Sequence, residues 1–344
     1  MRVIIEEAYR QRLHERLEEV FDSGFLSDGP MTRRFEEAFG TFTGLGTKAV
    51  SNGGAGLWAL LEYAGVRGGE VIVPANTFWA TALAARRAGA TPVYADCCRD
   101  DLCLDLEDVR RKVTPATRAV VLVHIGGHIA FRAEEIASFC RERGIALIED
   151  CAHVHGGTWN GKTGGHYGIG GSYSFYATKT MPLGEGGMVV SADPAVLEFV
   201  ERFRNYGKQV VDGVVTYPMK DAFNFRMSEM QAALGMVQLE RMPRILAWKR
   251  ELAARYDAIF ENRVRFPEGM ESGYYKYIVF DAPALREATG KVFARTDLGP
   301  VIEDKDWNLP GTAWVVEHHQ CPPIWYGWDG FDLDVPGLRA RLLG

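Results

Sequence analysis

Between residues 49 and 150 the chain repeats one figure: a short apolar run, a turn, then a segment of helical spacing. The apolar runs are Lys48-Ala49-Val50-Ser51, Glu70-Val71-Ile72-Val73-Pro74, Thr91-Pro92-Val93-Tyr94-Ala95-Asp96, residues 119–124, and Ala146-Leu147-Ile148-Glu149-Asp150. Residues 57–64, 82–88, 105–113 and 133–144 carry the helical spacing between them. Unbroken apolar runs suit strands covered on both faces, and parallel strands need a crossover, usually helical. The pattern therefore predicts an α/β fold whose mostly parallel sheet is flanked by helices. In such sheets ligands sit at the carboxyl ends of the strands. Asp150, the turn Asn52-Gly53-Gly54-Ala55-Gly56 and the segment Thr77-Phe78-Trp79 all fall at such ends, so one pocket is expected to gather them.

The stretch 145–191 narrows the chemistry. A buried strand delivers Asp150. A second short run, Ser172 to Phe175, leads to Thr178-Lys179, and Gly184-Glu185-Gly186-Gly187 turns the chain into the apolar Met188-Val189-Val190. An acid, a lysine and Ser174 five positions before that lysine form the set that pyridoxal phosphate requires. A lysine amine forms the Schiff base, an acid partners the ring nitrogen, and hydroxyl and N–H groups hold the phosphate. Gly53, Gly54 and Ala55 open a helix, where unpaired N–H groups and the helix dipole favour an anion, although the same residues also suit a tight turn without a ligand.

The wording of these segments resembles the DegT–DnrJ–StrS family of pyridoxal phosphate-dependent sugar aminotransferases. The resemblance rests on Glu149-Asp150-Cys151-Ala152-His153-Val154-His155-Gly156, on Ser174-Phe175-Tyr176-Ala177-Thr178-Lys179 with Gly184, Gly186 and Gly187, and on Asn224, Arg226, Met227, Glu229 and Gln231. It implies the type I fold of these transferases, with a large domain over residues 1–235 and a smaller C-terminal α+β domain over 236–344. It further implies catalytic roles for Lys179 and Asp150, and phosphate contacts from Gly53, Gly54, Ala55 and Ser174. Phe78 (with Trp79 beside it) is implied to stack on the cofactor ring and His153 to stand near its phenolic oxygen. Asn224 is implied to reach the site of a partner subunit, so a homodimer with shared sites is expected. The implied reaction moves an amino group from an amino acid, usually glutamate or glutamine, to a nucleotide-linked keto-deoxysugar, or alternatively to a keto-cyclitol. Sugar dehydratases of the family replace the lysine by histidine, so Lys179 favours transamination. Non-catalytic regulatory relatives are a further alternative, against which Lys179, Asp150, Ser174 and Asn224 all stand.

The chain departs from the family wording at Gly54, where threonine is usual, and after residue 279, where the resemblance thins into Pro322-Pro323-Ile324-Trp325-Tyr326-Gly327-Trp328. Gly29, in the loop 24–30, reads as part of a connector or, by resemblance, as part of a sugar-nucleotide turn. His318 and His319 read as surface residues or, by resemblance, as substrate-side groups.

Composition excludes other classes. A net charge of −6 with no basic block gives no nucleic-acid groove. No apolar run approaches the roughly 18 residues of a membrane span. The N-terminus turns charged after five residues, unlike a signal peptide. Six cysteines without Cys-x-x-Cys spacing read as free thiols in the cytoplasm, and no metal is expected. The Gly53–Gly56 turn lacks the spacing of a dinucleotide fingerprint. Elsewhere, helices are expected over residues 8–21, 31–39 (with Thr32 as cap), 194–203, 228–242 (capped by Ser228) and 244–260. Residues 205–219 read as a loop or β-excursion, and 274–280 as a strand.

Overall fold

Val71, Ile72 and Val73, like Val120, Val121 and Leu122, are completely buried, as strands covered on both faces must be. The computed structural model describes residues 3–288, 290–293 and 308–344. In chain order its elements begin with α1 (Glu7–Ser23), α2 (Pro30–Thr43), β1 (Gly46–Val50), α3 (Gly53–Tyr63), β2 (Glu70–Pro74), α4 (Ala80–Arg87), β3 (Thr91–Ala95), α5 (Leu106–Lys112), β4 (Thr117–Val123), α6 (Ala133–Glu142) and β5 (Ala146–Asp150). There follow β6 (Thr158–Trp159), β7 (Lys162–Thr163), β8 (Gly170–Ser174), β9 (Gly187–Ser191), α7 (Pro194–Phe203), β10 (Gln209–Val211), β11 (Val214–Thr216) and α8 (Glu229–Asp257). The last part holds β12 (Met270–Glu271), β13 (Val279–Phe280), α9 (Pro310–His318), β14 (His319–Gln320) and α10 (Val335–Leu343).

The main sheet runs β1-β9-β8-β5-β4-β2-β3. Only β9 opposes its neighbours, pairing antiparallel with β1 and β8. It follows β8 through a loop without a crossover helix, whereas β2, β3, β4 and β5 are linked by helices and pair in parallel. Parallel register puts Val123 opposite Asp150 and Asp150 opposite Ser172, so their strands end on one edge of the sheet.

Three expected features take a different form. Thr32 does not cap α2. Gly29 holds the cap position, and the buried carboxylate of Glu229, nearly 200 residues away, accepts from the N–H groups of Gly29 (2.9 Å), Met31 (2.8 Å) and Thr32 (3.0 Å). A charge set on a helix N-terminus serves as well as a local cap. The two helices expected on either side of Pro243 are one, α8, because buried Met242, Ile245 and Leu246 anchor both sides of the proline. Its start is as expected, with Ser228 and Gln231 forming a capping box. Of the strand expected over 274–280 only Val279–Phe280 is regular.

Helix α8 also joins two hydrophobic cores. Ala232, Ala233, Met242 and Leu246 pack into the core around the sheet, while Leu252, Ala253 and Tyr256 pack with Tyr277, Ile324, Trp328 and Leu338. The division expected at residue 235 falls inside this helix, and the change of core comes a few turns later. No described helix is long and apolar enough to cross a membrane.

Candidate active site

A cavity of about 560 Å³ opens at the carboxyl ends of β2, β4, β5 and β8. The sheet contributes Val123, Asp150 and Ser174, the turn after β2 contributes Thr77, the start of α3 contributes Gly53 and Gly54, and Tyr275, Val292 and Phe293 also line it. Phe78, His153 and Lys179 line it as well.

Glu149 and Asp150, adjacent at the end of β5, are both buried and serve different ends. Glu149 is saturated by the N–H groups of Gly165 (2.7 Å), Tyr167 (2.7 Å) and Gly168 (2.8 Å) and by His124 Nε2 (2.9 Å). His124 Nδ1 in turn accepts from the Ala130 N–H, so this histidine is architectural. Asp150 faces the cavity. Its Oδ2 accepts from Thr81 Oγ1 (3.0 Å), itself hydrogen-bonded to Thr77 Oγ1 (2.9 Å), and its Oδ1 accepts from the Ala152 N–H (3.1 Å). Burial raises the Asp150 pKa, against the opposing pull of these bonds and of Lys179.

Lys179 sits in the turn after β8. Burial pushes its ammonium down to about 8; Asp150 opposes that and the charge of Lys276 adds to it. Its Nζ stands 4.9 Å from the centre of the Tyr275 ring. The same ring stacks on His153, with centroids 4.1 Å apart at 20°. Burial, with Lys179 next, holds His153 far below its ordinary pKa, so its imidazole is neutral. Its Nδ1 is buried without a protein partner among the described residues. Tyr275 was not singled out from sequence. Its one signal was the aromatic run Tyr274-Tyr275-Lys276-Tyr277, which read only as a strand.

The α3 N-terminus is shaped by what it must approach. A Cβ on Gly53 would stand 2.9 Å from Ser174 Cβ, and one on Gly187 2.5 Å from the Asn52 carbonyl carbon. Glycine at both places lets the helix start press against β8 and β9. Asn52 caps the helix by accepting from the Ala55 N–H (2.8 Å). The Ala55 N–H, expected to face a phosphate, is given to this cap. Gly53 and Gly54 line the cavity. Phe78 is 63% exposed at the cavity mouth, its ring 5.7 Å from that of Trp79, so neither is a core aromatic.

Four other expected site residues are not brought to this cavity. Gly29 spends its N–H on Glu229. His318 pairs with Asp281 and stacks on Trp314. His319 is fully buried, contrary to its reading as a surface residue, with Nδ1 toward the Val315 carbonyl and Nε2 accepting from the Val292 N–H (3.0 Å). It reaches the cavity only by holding Val292. Asn224 is exposed, bridged to Asn205, and accepts from the Arg226 N–H (3.3 Å). Near it, Val210, Val214, Tyr217 and Phe223 are each about 60% exposed.

The model of the DegT/DnrJ/EryC1/StrS aminotransferase family matches residues 7–282. A GDP-perosamine synthase of Vibrio cholerae is 38% identical over 243 residues, 70% of this chain and 65% of that protein. A dTDP-4-dehydro-2,3,6-trideoxy-D-glucose 4-aminotransferase of Saccharopolyspora spinosa is 33% identical, over 78% of this chain and 75% of that one. The chain thus spans about two thirds to three quarters of the length of these relatives. Among solved structures, the aminotransferase TlmJ from Streptoalloteichus hindustanus superposes with a TM-score of 0.86 at 30% identity, covering 98% of this chain and 95% of that one.

Proposed function

Because the chain belongs to the DegT/DnrJ/EryC1/StrS aminotransferase family, we propose that it transfers an amino group from an amino acid to the keto group of a nucleotide-linked keto-deoxysugar, using pyridoxal phosphate. The observation that carries this is the meeting of Lys179, Asp150 and the α3 N-terminus in one cavity. The nucleotide-sugar names of the relatives support the acceptor class.

The residues suit the cofactor. A buried carboxylate, an imidazole nitrogen without a partner among the described residues and a helix N-terminus converge, and they match in turn a pyridinium N–H, a phenolic oxygen and a phosphate. Pyridoxal phosphate, when bound, supplies a carbonyl carbon for the amine and a ring that accepts the electron pair released at the donor Cα. The chain does the rest. The N–H groups of Gly53 and Gly54 and the Ser174 hydroxyl anchor the phosphate. Asp150, held by Thr81 and Ala152, keeps a proton on the ring nitrogen. His153, with its unpartnered Nδ1 among the described residues, would hold the phenolic oxygen, and Phe78, which lines the same cavity, would cover the ring. Lys179 moves a proton between the donor Cα and the cofactor carbon that carries the amine, and a depressed pKa makes its neutral form available near neutral pH.

We propose in addition that two copies pair and that Asn224 serves the site of the other copy. The exposed apolar residues of the β10–β11 hairpin, with Tyr217 and Phe223, support this, since large apolar side chains left exposed on both faces of the hairpin favour a covering partner. Mixing Lys179→Ala with Asn224→Ala after dissociation should yield hybrid dimers more active than either parent. Verified heterodimers without recovery would refute shared sites. For the reaction itself, the purified protein with L-glutamate should release 2-oxoglutarate, and its aminated form should then aminate a nucleoside-diphosphate keto-deoxyhexose. Amino transfer to no such sugar, with turnover of a keto-cyclitol instead, would overturn the acceptor assignment.

A further inference from the structure

A second cavity, of about 390 Å³, meets the first at Thr178, Lys179 and Tyr275. Its charge is opposite in kind. The first cavity is lined by Asp150 and Glu185, with Lys179 the only lysine or arginine among its described lining residues. The second is lined by Lys179, Arg241, Lys249 and Lys276, and no carboxylate is among its described lining residues. Arg241 is answered from behind by Glu6 at 2.8 Å. Lys249 is buried and donates one N–H to the Tyr274 carbonyl (2.8 Å), with no carboxylate in ion-pair reach among the described residues. Its ammonium is pushed down to about 7 by burial and by Lys276. The Thr180 hydroxyl, also on this wall, is buried without a partner among the described residues. A buried cation and a buried orphan hydroxyl on one wall are costly unless something fills their remaining valences.

Resting on the aminotransferase reading, we propose that this second cavity takes a carboxylate of the amino donor, paired with Lys249 and hydrogen-bonded by Thr180. The donor must bring its nitrogen beside Lys179 and carries at least one carboxylate. In the first cavity that carboxylate would meet Asp150, Glu185 and the cofactor phosphate. In the second its polar neighbours are cations and hydroxyls, among aromatic and aliphatic side chains such as Trp325 and Ile245, with no carboxylate among the described lining residues.

The probe is glutarate, a dicarboxylate without an amine, titrated calorimetrically into the cofactor-loaded enzyme. One glutarate should bind per chain and be displaced by L-glutamate. Lys249→Met keeps the buried stem and should weaken glutarate by about tenfold to a hundredfold, as loss of a charge-assisted bond does. Thr180→Val, nearly isosteric, should weaken it by about threefold to tenfold, and Lys249→Arg should restore most of the affinity. Glutarate affinity indifferent to both Lys249→Met and Thr180→Val overturns the site, as does displacement of glutarate by a nucleoside diphosphate but not by glutamate. Absence of any amino transfer, with glutarate binding still dependent on Lys249, overturns instead the aminotransferase reading on which the donor assignment rests.

Discussion

The two cavities that meet at Lys179 are built by different parts of the chain and in different ways. The first stands on the sheet. Asp150 and Ser174 sit at strand ends and Gly53 at a helix start, and Asp150 is fixed from both sides by Thr81 and Ala152. The second lies between the N-terminal segment, α8 and the loop carrying Trp325 and Tyr326, and its charges come from a long helix and irregular chain. The first is thus suited to hold one group in one orientation, which bond-making at a cofactor demands. The second offers a field of positive charge with fewer fixed directions, which suits recognition of a carboxylate. Lys179 belongs to both, and variants can test how far the division holds.

The largest effect is expected for Lys179→Ala, which should abolish turnover. Borohydride reduction of the cofactor-loaded wild type should fix label on the peptide containing Lys179, and this variant should take none. Label on Lys249 or Lys276 would reverse the roles assigned to the two cavities. Next comes Asp150→Asn, which should still bind the cofactor but slow the half-reaction with the amino donor by on the order of a thousandfold, measured in single turnover. Glutarate affinity should be unchanged in this variant, because Asp150 does not line the second cavity. A parallel loss of glutarate binding would mean that the two cavities work as one.

The same division explains what could be read from the sequence. Asp150, Ser174 and the α3 start follow a repeating strand-and-helix pattern, and each strand end was visible as the end of an apolar run. Ser228 with Gln231 was legible for the same reason: a cap is local. Tyr275, Val292 and Phe293 lie on chain with almost no regular structure, so no period announces which side chain turns inward. Glu229 looked like one more helix residue, and its role on α2 depends on a contact nearly 200 residues distant. Ala55 and His319 were hard to place for a related reason. Each was assigned an outward role, and in each the hydrogen-bonding atoms are consumed by a neighbour, Asn52 or the Val315 and Val292 backbone.

A smaller effect is expected on the wall that the cavities share. Tyr275→Leu removes the ring that stacks on His153 and stands beneath Lys179. Such contacts contribute about 0.5–1 kcal/mol each, so activity should fall by roughly fivefold to thirtyfold. Tyr275→Phe keeps the ring and should stay near wild type. Equal losses in both variants would assign the effect to the phenol hydroxyl instead.

The smallest effect joins the two cavities through charge alone. Around Lys179 the charged groups are Asp150 on one side and Lys276 on the other, with His153 neutral beside them. Burial and Lys276 lower the Lys179 pKa to about 8, and Asp150 opposes them. An amine captures an aldehyde only when it has lost its proton. Capture of pyridoxal phosphate by the apoprotein, followed by absorbance, should therefore rise with pH to a plateau above about pH 8. Lys276→Met deletes a like charge and makes the proton easier to keep, so the midpoint should move upward and capture at pH 7.5 should slow. Asp150→Asn deletes an opposite charge, so its midpoint should move downward. Opposite signs in the two variants would show the second cavity tuning the amine that works in the first. Shifts of the same sign, or none for Lys276→Met, would leave burial as the sole cause and confine the lysines of the second cavity to binding.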